Sequence, residues 1–549
     1  IIFLMITCQN APVASLSMLP YTGSWSAETA IHLLRRTLFG PTRFQIDQMV
    51  SLGMDQAVES ILQIVSPADP ITWHPLEAVG SQGATWVNEF LPADETLRNE
   101  TISARHHSMY TWFVKRTNQE QQLAPSITEK MCFFWHNHFS VTMRQDDRVN
   151  YAYHKLLETH ALGNFQTFVE EMTINPSMML FLDTASNTKW SPNENYAREL
   201  LELFTVGKGP QIGPGDYSNF TEDDIAAGAR ILTGWKVREY ASSVAHPYSE
   251  FDQSHHDEDG KTLSYHFNNA IVSNTDDLEY KDFIGLIFQK DETAYHIARK
   301  LYIFFVNTEI TQDIEAEIIN TMAQTLLVNN YEIRPVLVEL FKSEHFYDIA
   351  NIGAHLKSPF EFIFSMLNAT ETIPDYGIEG DNMMWEKLYQ KAIAFDLNWG
   401  FPPSVAGWPA YYQAPAFMQH WLNSGTINNR FWCITQLTTN TNGIWSDEFG
   451  TFYNIKIDAL NFLATIQDPS NGVALIDEIC LFLLSRTLDQ SKKDALLNTL
   501  TGGLPEFEWT LQYAEFTANP GDLTFSDPIK SKVEEVLSQL FMFPEFQSC

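Results

Sequence analysis

The chain is short of basic residues. Its 549 residues carry 34 Lys and Arg against 68 Asp and Glu, a formal net charge of -34. A nucleic-acid binder needs a basic face to displace counterions from the phosphates. No such footprint is present, which excludes nucleic acid as a partner and disfavours an anionic membrane surface. The acidity reads as solubility in a salty or extracellular setting, or as cation attraction; net charge speaks to solubility first. Cysteine is scarce: Cys8, Cys132, Cys433, Cys480 and Cys549 form no Cys-x-x-Cys pair, so zinc-ribbon and thioredoxin readings fail and no disulfide framework is expected. Cys132 sits in an apolar helical run and is expected as a buried free thiol. Apart from the N-terminus, no stretch approaches the ~18 apolar residues needed to span a bilayer. The Gly-x-Ser-x-Gly elbow of serine hydrolases and the phosphate-cradling Gly-x-x-x-x-Gly-Lys-Ser/Thr loop are both missing. The βαβ alternation of a parallel sheet is absent, and so is any internal repeat.

Helix signals dominate what is there. Thr42 with Gln45 is a capping-box pattern, followed by Ile46, Met49 and Val50 at helical spacing. Ser126 with Glu129 opens the run Lys130 to Trp135, and Thr221 with Asp224 precedes Ile225 to Trp235. Ser358-Pro359-Phe360-Glu361 combines a cap, a proline at the first helical position and an acidic third residue. Alternating β patterns are few; Ala270-Ile271-Val272 is one candidate. The expected fold is all-α, with many amphipathic helices and a few short strands inside long loops. Those loops fall at Val65 to Ala84, Gly207 to Ser218, Val237 to Asp282 and Gly400 to Ala414. The third is rich in His and Asp, and loops of that length usually serve a function or are disordered.

The N-terminus reads as a targeting segment. Ile1 to Thr7 is apolar and ends at Cys8, with no basic region before it. Met5-Ile6-Thr7-Cys8 resembles the end of a bacterial lipoprotein signal, although Thr7 stands where Gly or Ala is usual. An ordinary signal peptide cleaved near Ala14 is the alternative, and a frayed apolar tail the plainer one. The expected organisation is a leader and tail over 1–20, a main helical domain over 21–439, and a C-terminal helical segment over 440–549, whose boundary is soft around Thr438 to Phe449. The expected location is exported: periplasm, outer-membrane lipoprotein or extracellular, with a lipid anchor at Cys8 as the sharper form.

Four motifs carry chemistry. In Trp135-His136-Asn137-His138-Phe139, both imidazoles share a face only if the backbone is extended; on an α-helix they point about 200° apart. Metal ligation by His136 and His138 needs that departure from helix, and two packed histidines do not. In Asn193 to Thr205, helical winding gives an apolar arc of Tyr196, Leu200, Leu201, Leu203 and Phe204. The opposite arc holds Glu194, Asn195, Arg198, Glu199, Glu202 and Thr205. Arg198 stands four residues from both Glu194 and Glu202 and can bridge either. The face is a solvated array of surface pairs or a polar network in which Glu199 and Glu202 offer oxygens to a metal. Ser254 to Lys261 holds His256 and Asp257; it lacks the later bidentate Glu of a calcium loop, leaving a solvated acidic loop or a contact to substrate. Asn398 to Pro409 sets Trp399 and Trp408 beside turn-forming Pro and Gly, as core packing or as the wall of a cleft.

Together these residues resemble one bacterial family, called domain of unknown function 1800. The resemblance starts at His32-Leu33-Leu34-Arg35-Arg36-Thr37-Leu38-Phe39-Gly40 and runs through Trp135 to Phe139 and Asn193 to Phe204. It takes in Thr233-Gly234-Trp235, His256-Asp257 with Lys261, Pro402-Pro403 with Gly407-Trp408, and Pro544-Glu545-Phe546-Gln547. The loop Pro210 to Tyr217 looks expanded against the family pattern, and Asn440 to Thr524 matches it poorly. The resemblance implies export and a secreted, sulfatase-like partner; it carries no reaction or cofactor. Two functions follow from the residues. One is a metal-assisted, hydrolase-like enzyme on an envelope or extracellular substrate: His136, His138 and Glu202 as ligands of a divalent metal, Glu199 and Arg198 as catalytic groups, and Trp399, Trp408, His256 and Asp257 against substrate. The other is a non-enzymatic, lipid-anchored or secreted binding protein.

Overall fold

The computed structural model describes residues 14–118 and 125–549. Helices build most of its regular structure, and the strands form four separate two-stranded antiparallel ribbons. Three ribbons lie in or at the edge of the long loops: Gln211–Gly213 with Asp216–Tyr217, Trp235–Arg238 with Tyr248–Phe251, and Lys261–Thr262 with Ile271–Val272. The fourth pairs Ile444–Ser446 with Tyr453–Ile455. The expected all-α class therefore holds, including the strand at Ile271.

Local capping fixes several helix starts. The reciprocal bonds of the capping box form at Thr42–Gln45, Thr221–Asp224 and Ser358–Glu361, each satisfying two donors that a helix end otherwise leaves orphaned. The fourth pattern, Ser126–Glu129, does not form. That helix runs Thr128–His138 after Ile127, and Ser126 Oγ donates to the Gln63 carbonyl. Glu129 is drawn instead into a buried ion pair with Arg116, 2.7 Å away, which also reaches Glu158 at 3.0 Å.

One continuous apolar core runs from the first helix to the last. Helix Glu95–Asn118 packs on Gly377–Ile393, Thr128–His138 on Asp147–Thr159, and Asp291–Phe305 on Asn320–Val328. The first helix, Ala27–Thr37, is buried on every side from Thr29 to Thr37. The C-terminal segment closes over it: Arg35 donates to the carbonyls of Leu484 and Phe482, the latter at 2.7 Å. Arg43 pairs with Glu478 at 2.5 Å. Among the described residues no helix is long and apolar enough to cross a membrane. Cys132, Cys433, Cys480 and Cys549 are free and buried; Cys8 and the leader motif lie outside the described residues.

Candidate functional site

His136 and His138 lie on a regular helix, so their rings part to opposite sides as the 3.6-residue period demands. Tyr153 donates its hydroxyl to the Phe139 carbonyl at 2.8 Å. His136 Nδ1, 2.9 Å from that hydroxyl, is therefore the N–H donor. Its Nε2 accepts the Gly400 amide at 3.3 Å. Both nitrogens are engaged, and burial pushes the pKa down to about 3. His138 donates from Nε2 to the Phe204 carbonyl at 3.1 Å and accepts Lys300 Nζ on Nδ1 at 3.1 Å. Burial first, then the Lys300 and His296 charges, holds it well below its ordinary value. Neither ring keeps a free lone pair for a metal, which corrects the ligand assignment of His136 and His138. Glu202 is likewise committed, to Lys208 at 3.0 Å. Among the described residues no group of three or more His, Cys, Asp or Glu is placed to hold a metal ion.

The His-Asn-His motif instead docks the aromatic loop. Asn137 Oδ1 accepts the Trp408 amide at 2.9 Å, and His136 takes the Gly400 amide. Gly407 has φ +91°, and a Cβ there would sit 2.3 Å from Asn137 Oδ1, so only glycine fits. Trp399 and Trp408 are each 1% exposed. Trp399 stacks on Phe113 with centroids 5.7 Å apart, and Trp408 lies 5.3 Å from Phe133. Both are core, which removes them from the substrate-contact set.

His256 and Asp257 also turn inward. His256 Nε2 lies 2.8 Å from Glu279 and Nδ1 2.8 Å from the Thr233 carbonyl. Two acceptors require two N–H donors, so this imidazole is charged. Burial opposes that charge, but the Glu279 hydrogen bond and the Thr233 carbonyl prevail and the pKa is raised. Lys261 Nζ meets the other Glu279 oxygen at 2.6 Å. Asp257 takes a bidentate bond from Arg230, at 2.7 and 3.2 Å. The loop is pinned at His256 and Asp257 by a buried His–Glu–Lys triad and the Arg230 pair, while its acidic tip, Glu258 and Asp259, stays exposed to solvent.

The Asn193–Thr205 face remains. An α-helix over Asn195–Glu199 passes into a single π-turn, Leu200–Phe204, a rare element that often marks functional sites. On the outer side, Arg198 grips Glu222 with both nitrogens, at 3.1 and 2.8 Å, and Glu194 at 3.1 Å. It does not bridge to Glu202. Glu222 also accepts Tyr217 Oη at 3.0 Å, and the Arg198 bond holds its carboxyl below the ordinary range. Among the described residues the Glu199 carboxyl makes no hydrogen bond or ion pair. Burial, then the charge of Glu202, raises its pKa against the pull of Arg198 and Lys208.

On the inner side, the Leu203 carbonyl near the end of the turn meets two donors from helix Asp291–Phe305, a neutral histidine and a lysine. Leu203 O accepts His296 Nε2 at 3.0 Å and Lys300 Nζ at 2.9 Å. A cation suits that C-terminal end of the helix dipole, while desolvation brings Lys300 down to about 7. The sequence reading missed Lys300, His296 and Glu279, and named Lys261 without giving it a role. A faint signal existed in His296 and Lys300, four apart on one helix.

A family model described as "Protein of unknown function (DUF1800)" matches residues 32–548, and the chain belongs to that family. No curated protein and no solved structure matches it.

Proposed function

We propose that the chain is an exported, hydrolase-like enzyme that works by proton transfer at Glu199 on an envelope or extracellular substrate. The observation that carries this reading is the single unpaired carboxyl on an otherwise paired face, held at a π-turn with a raised pKa. Carboxylates whose surroundings push their pKa values apart are how acid and base roles are divided, and here Glu222 moves down while Glu199 moves up. Glu199 is the proton donor, and Glu202 is the neighbouring charge that helps raise it. Arg198, locked by Glu222 and Glu194, positions the face. A metal-assisted form of the reaction would need ligands other than His136 and His138. Export rests on the apolar run ending at Cys8, where a lipid anchor would sit.

The second reading is a lipid-anchored or secreted binding protein acting with a sulfatase-like exported partner. What favours it is the closure of Arg198 between two carboxylates, which leaves little of its guanidinium for substrate. One experiment separates the two. Purified protein is screened against chromogenic glycosides, esters and phosphoesters and against envelope polymers, beside Glu199→Gln. Proton-transfer groups contribute about 10²–10⁴-fold, so the variant should lose about that much turnover while its unfolding midpoint barely moves. Turnover unchanged in Glu199→Gln sinks the enzymatic assignment.

A further inference from the structure

One ribbon spends its outer face on aromatic rings. Where Ile444–Ser446 pairs with Tyr453–Ile455, Ile444, Ser446 and Ile455 are buried and Trp445 points the other way. Trp445 stands opposite Asn454. Phe452, two residues before Asn454, falls on the same face by the two-residue period of a strand. The Trp445 and Phe452 rings stack with centroids 5.9 Å apart. They are 45% and 54% exposed, although rings of that size usually serve a core or an interface. Tyr376, 44% exposed, joins them from the start of helix Gly377–Ile393. Its hydroxyl reaches both oxygens of Asn454 at 2.8 Å. The turn before the ribbon adds the exposed Thr441 and Asn442, and the Asn442 carbonyl accepts Asn454 Nδ2 at 3.1 Å.

The ribbon is anchored at both ends. Its strands pack on helix Gly377–Ile393, and its tip is pinned at Phe449, whose backbone is left-handed at φ +59°. The Phe449 ring meets His74 edge-on at 5.5 Å. His74 stacks on His107 at 4.5 Å, and His107 donates from Nδ1 to Glu386 at 2.8 Å. Rings fixed in place before a ligand arrives give up little freedom on binding. The setting is acidic. Asp381 accepts the Tyr376 amide at 2.7 Å, Glu379 accepts the Tyr453 hydroxyl at 3.4 Å, and Asp447 and Glu448 follow the first strand. Of the nearby cations, Lys387 is given to Glu448 at 3.5 Å and Lys456 to Glu534 at 2.9 Å.

We propose that this face is a binding surface for a neutral polysaccharide. A pyranose is amphipathic, with faces of C–H groups and an edge of hydroxyls. The C–H faces lie on Trp445 and Phe452, whose flat, stiff rings offer contact area at small entropic cost. The hydroxyls exchange hydrogen bonds with the amide of Asn442, the hydroxyl of Thr441 and the carboxylate of Asp447. An anionic polymer meets like charge here and is turned away. A protein partner calls for a dry centre with few charges, whereas Asn454 sits between Trp445 and Tyr376 and carboxylates rim the rings. The surface is open, which suits a chain lying across it; a small ligand calls for a concave site. This surface is independent of Glu199.

The test is native affinity electrophoresis of the full protein in gels containing mixed-linkage β-glucan, galactomannan or dextran, with alginate as the anionic counterpart. Retardation by at least one neutral polymer and none by alginate is expected. Trp445→Ala and, separately, Phe452→Ala should weaken it at least about tenfold. Both side chains are exposed, so melting temperatures should match the wild type. Three results overturn the proposal: no retardation by any of the three neutral polymers, retardation by alginate as strong as by them, or equal retardation of the wild type and the folded variants. A wild-type protein that ignores the polymers but self-associates through Trp445, as sedimentation of Trp445→Ala would show, overturns it in favour of a second copy.

Discussion

Glu279→Gln should be among the most damaging single-atom changes in the molecule. Glu279, His256 and Lys261 have fully buried side chains, and one carboxylate serves both cations, at 2.8 and 2.6 Å. The replacement keeps the shape and removes the charge. Gln offers one acceptor oxygen and an NH2 group that faces a donor, so at least one cation loses its partner. Breaking a buried pair by removing one member costs about 3–5 kcal/mol. Urea unfolding followed by near-ultraviolet circular dichroism measures the loss. Lys261→Met combined with Glu279→Gln should cost less than the two single changes summed, by about 1–3 kcal/mol, because the orphaned ammonium is gone. The triad also sets a pH signature. The folded pKa of His256 is raised, so its contribution is fully present below the unfolded value of about 6.5 and is lost as pH rises through the folded value. Glu279→Gln should flatten that dependence. A loss below about 1 kcal/mol, with the pH dependence intact, would refute the claim that this loop is held by a buried charged triad.

Three further outcomes follow from the packing. Gly407→Ala places a Cβ 2.3 Å from Asn137 Oδ1 and 2.5 Å from its carbonyl oxygen, at φ +91°; a loss of at least about 1–3 kcal/mol is expected in chemical denaturation, and no loss would show that the His-Asn-His motif does not clamp this turn. Trp399→Ala removes a side chain 1% exposed and should cost about 3–5 kcal/mol, whereas an unchanged midpoint would return that tryptophan to a surface role. Arg116→Met strands Glu129 in the core, whereas Glu158 keeps Lys155 and Ser66. Burial raises the Glu129 pKa in the fold, so the folded state holds protons the unfolded one releases, and the variant's melting temperature should fall more steeply than wild type between pH 5 and 8.

What the sequence made legible was whatever depends on neighbours along the chain. Thr42, Thr221 and Ser358 cap their helices because each partner sits three residues away, inside the same turn. Ser126 failed for a non-local reason: Arg116, on another helix, offers Glu129 a buried ion pair that outweighs a local cap. The helical period also foretold that His136 and His138 would diverge, but their actual partners, Gly400 and Lys300, lie more than 150 residues away in sequence and leave no local trace. The same holds for Glu279, whose acidity looks unremarkable until the fold brings His256 and Lys261 to its two oxygens.

Buried cations sharpen this point. In His32-Leu33-Leu34-Arg35-Arg36-Thr37-Leu38, two arginines interrupt a helix buried on every side, and that conflict between residue type and position was visible in the sequence. Its resolution was not. A net charge of -34 sums a solvated surface and says nothing of the sign of an interior field, which fades over distance in water but persists where water is excluded. Arg35 with Arg36, Lys357 and Arg430 converge from three places in the chain, and each alone resembles an ordinary arginine or lysine with carbonyl or aromatic neighbours. Only the fold brings them together, and only the fold brings Glu361 and Cys549, the negative groups that act on them, to the same place.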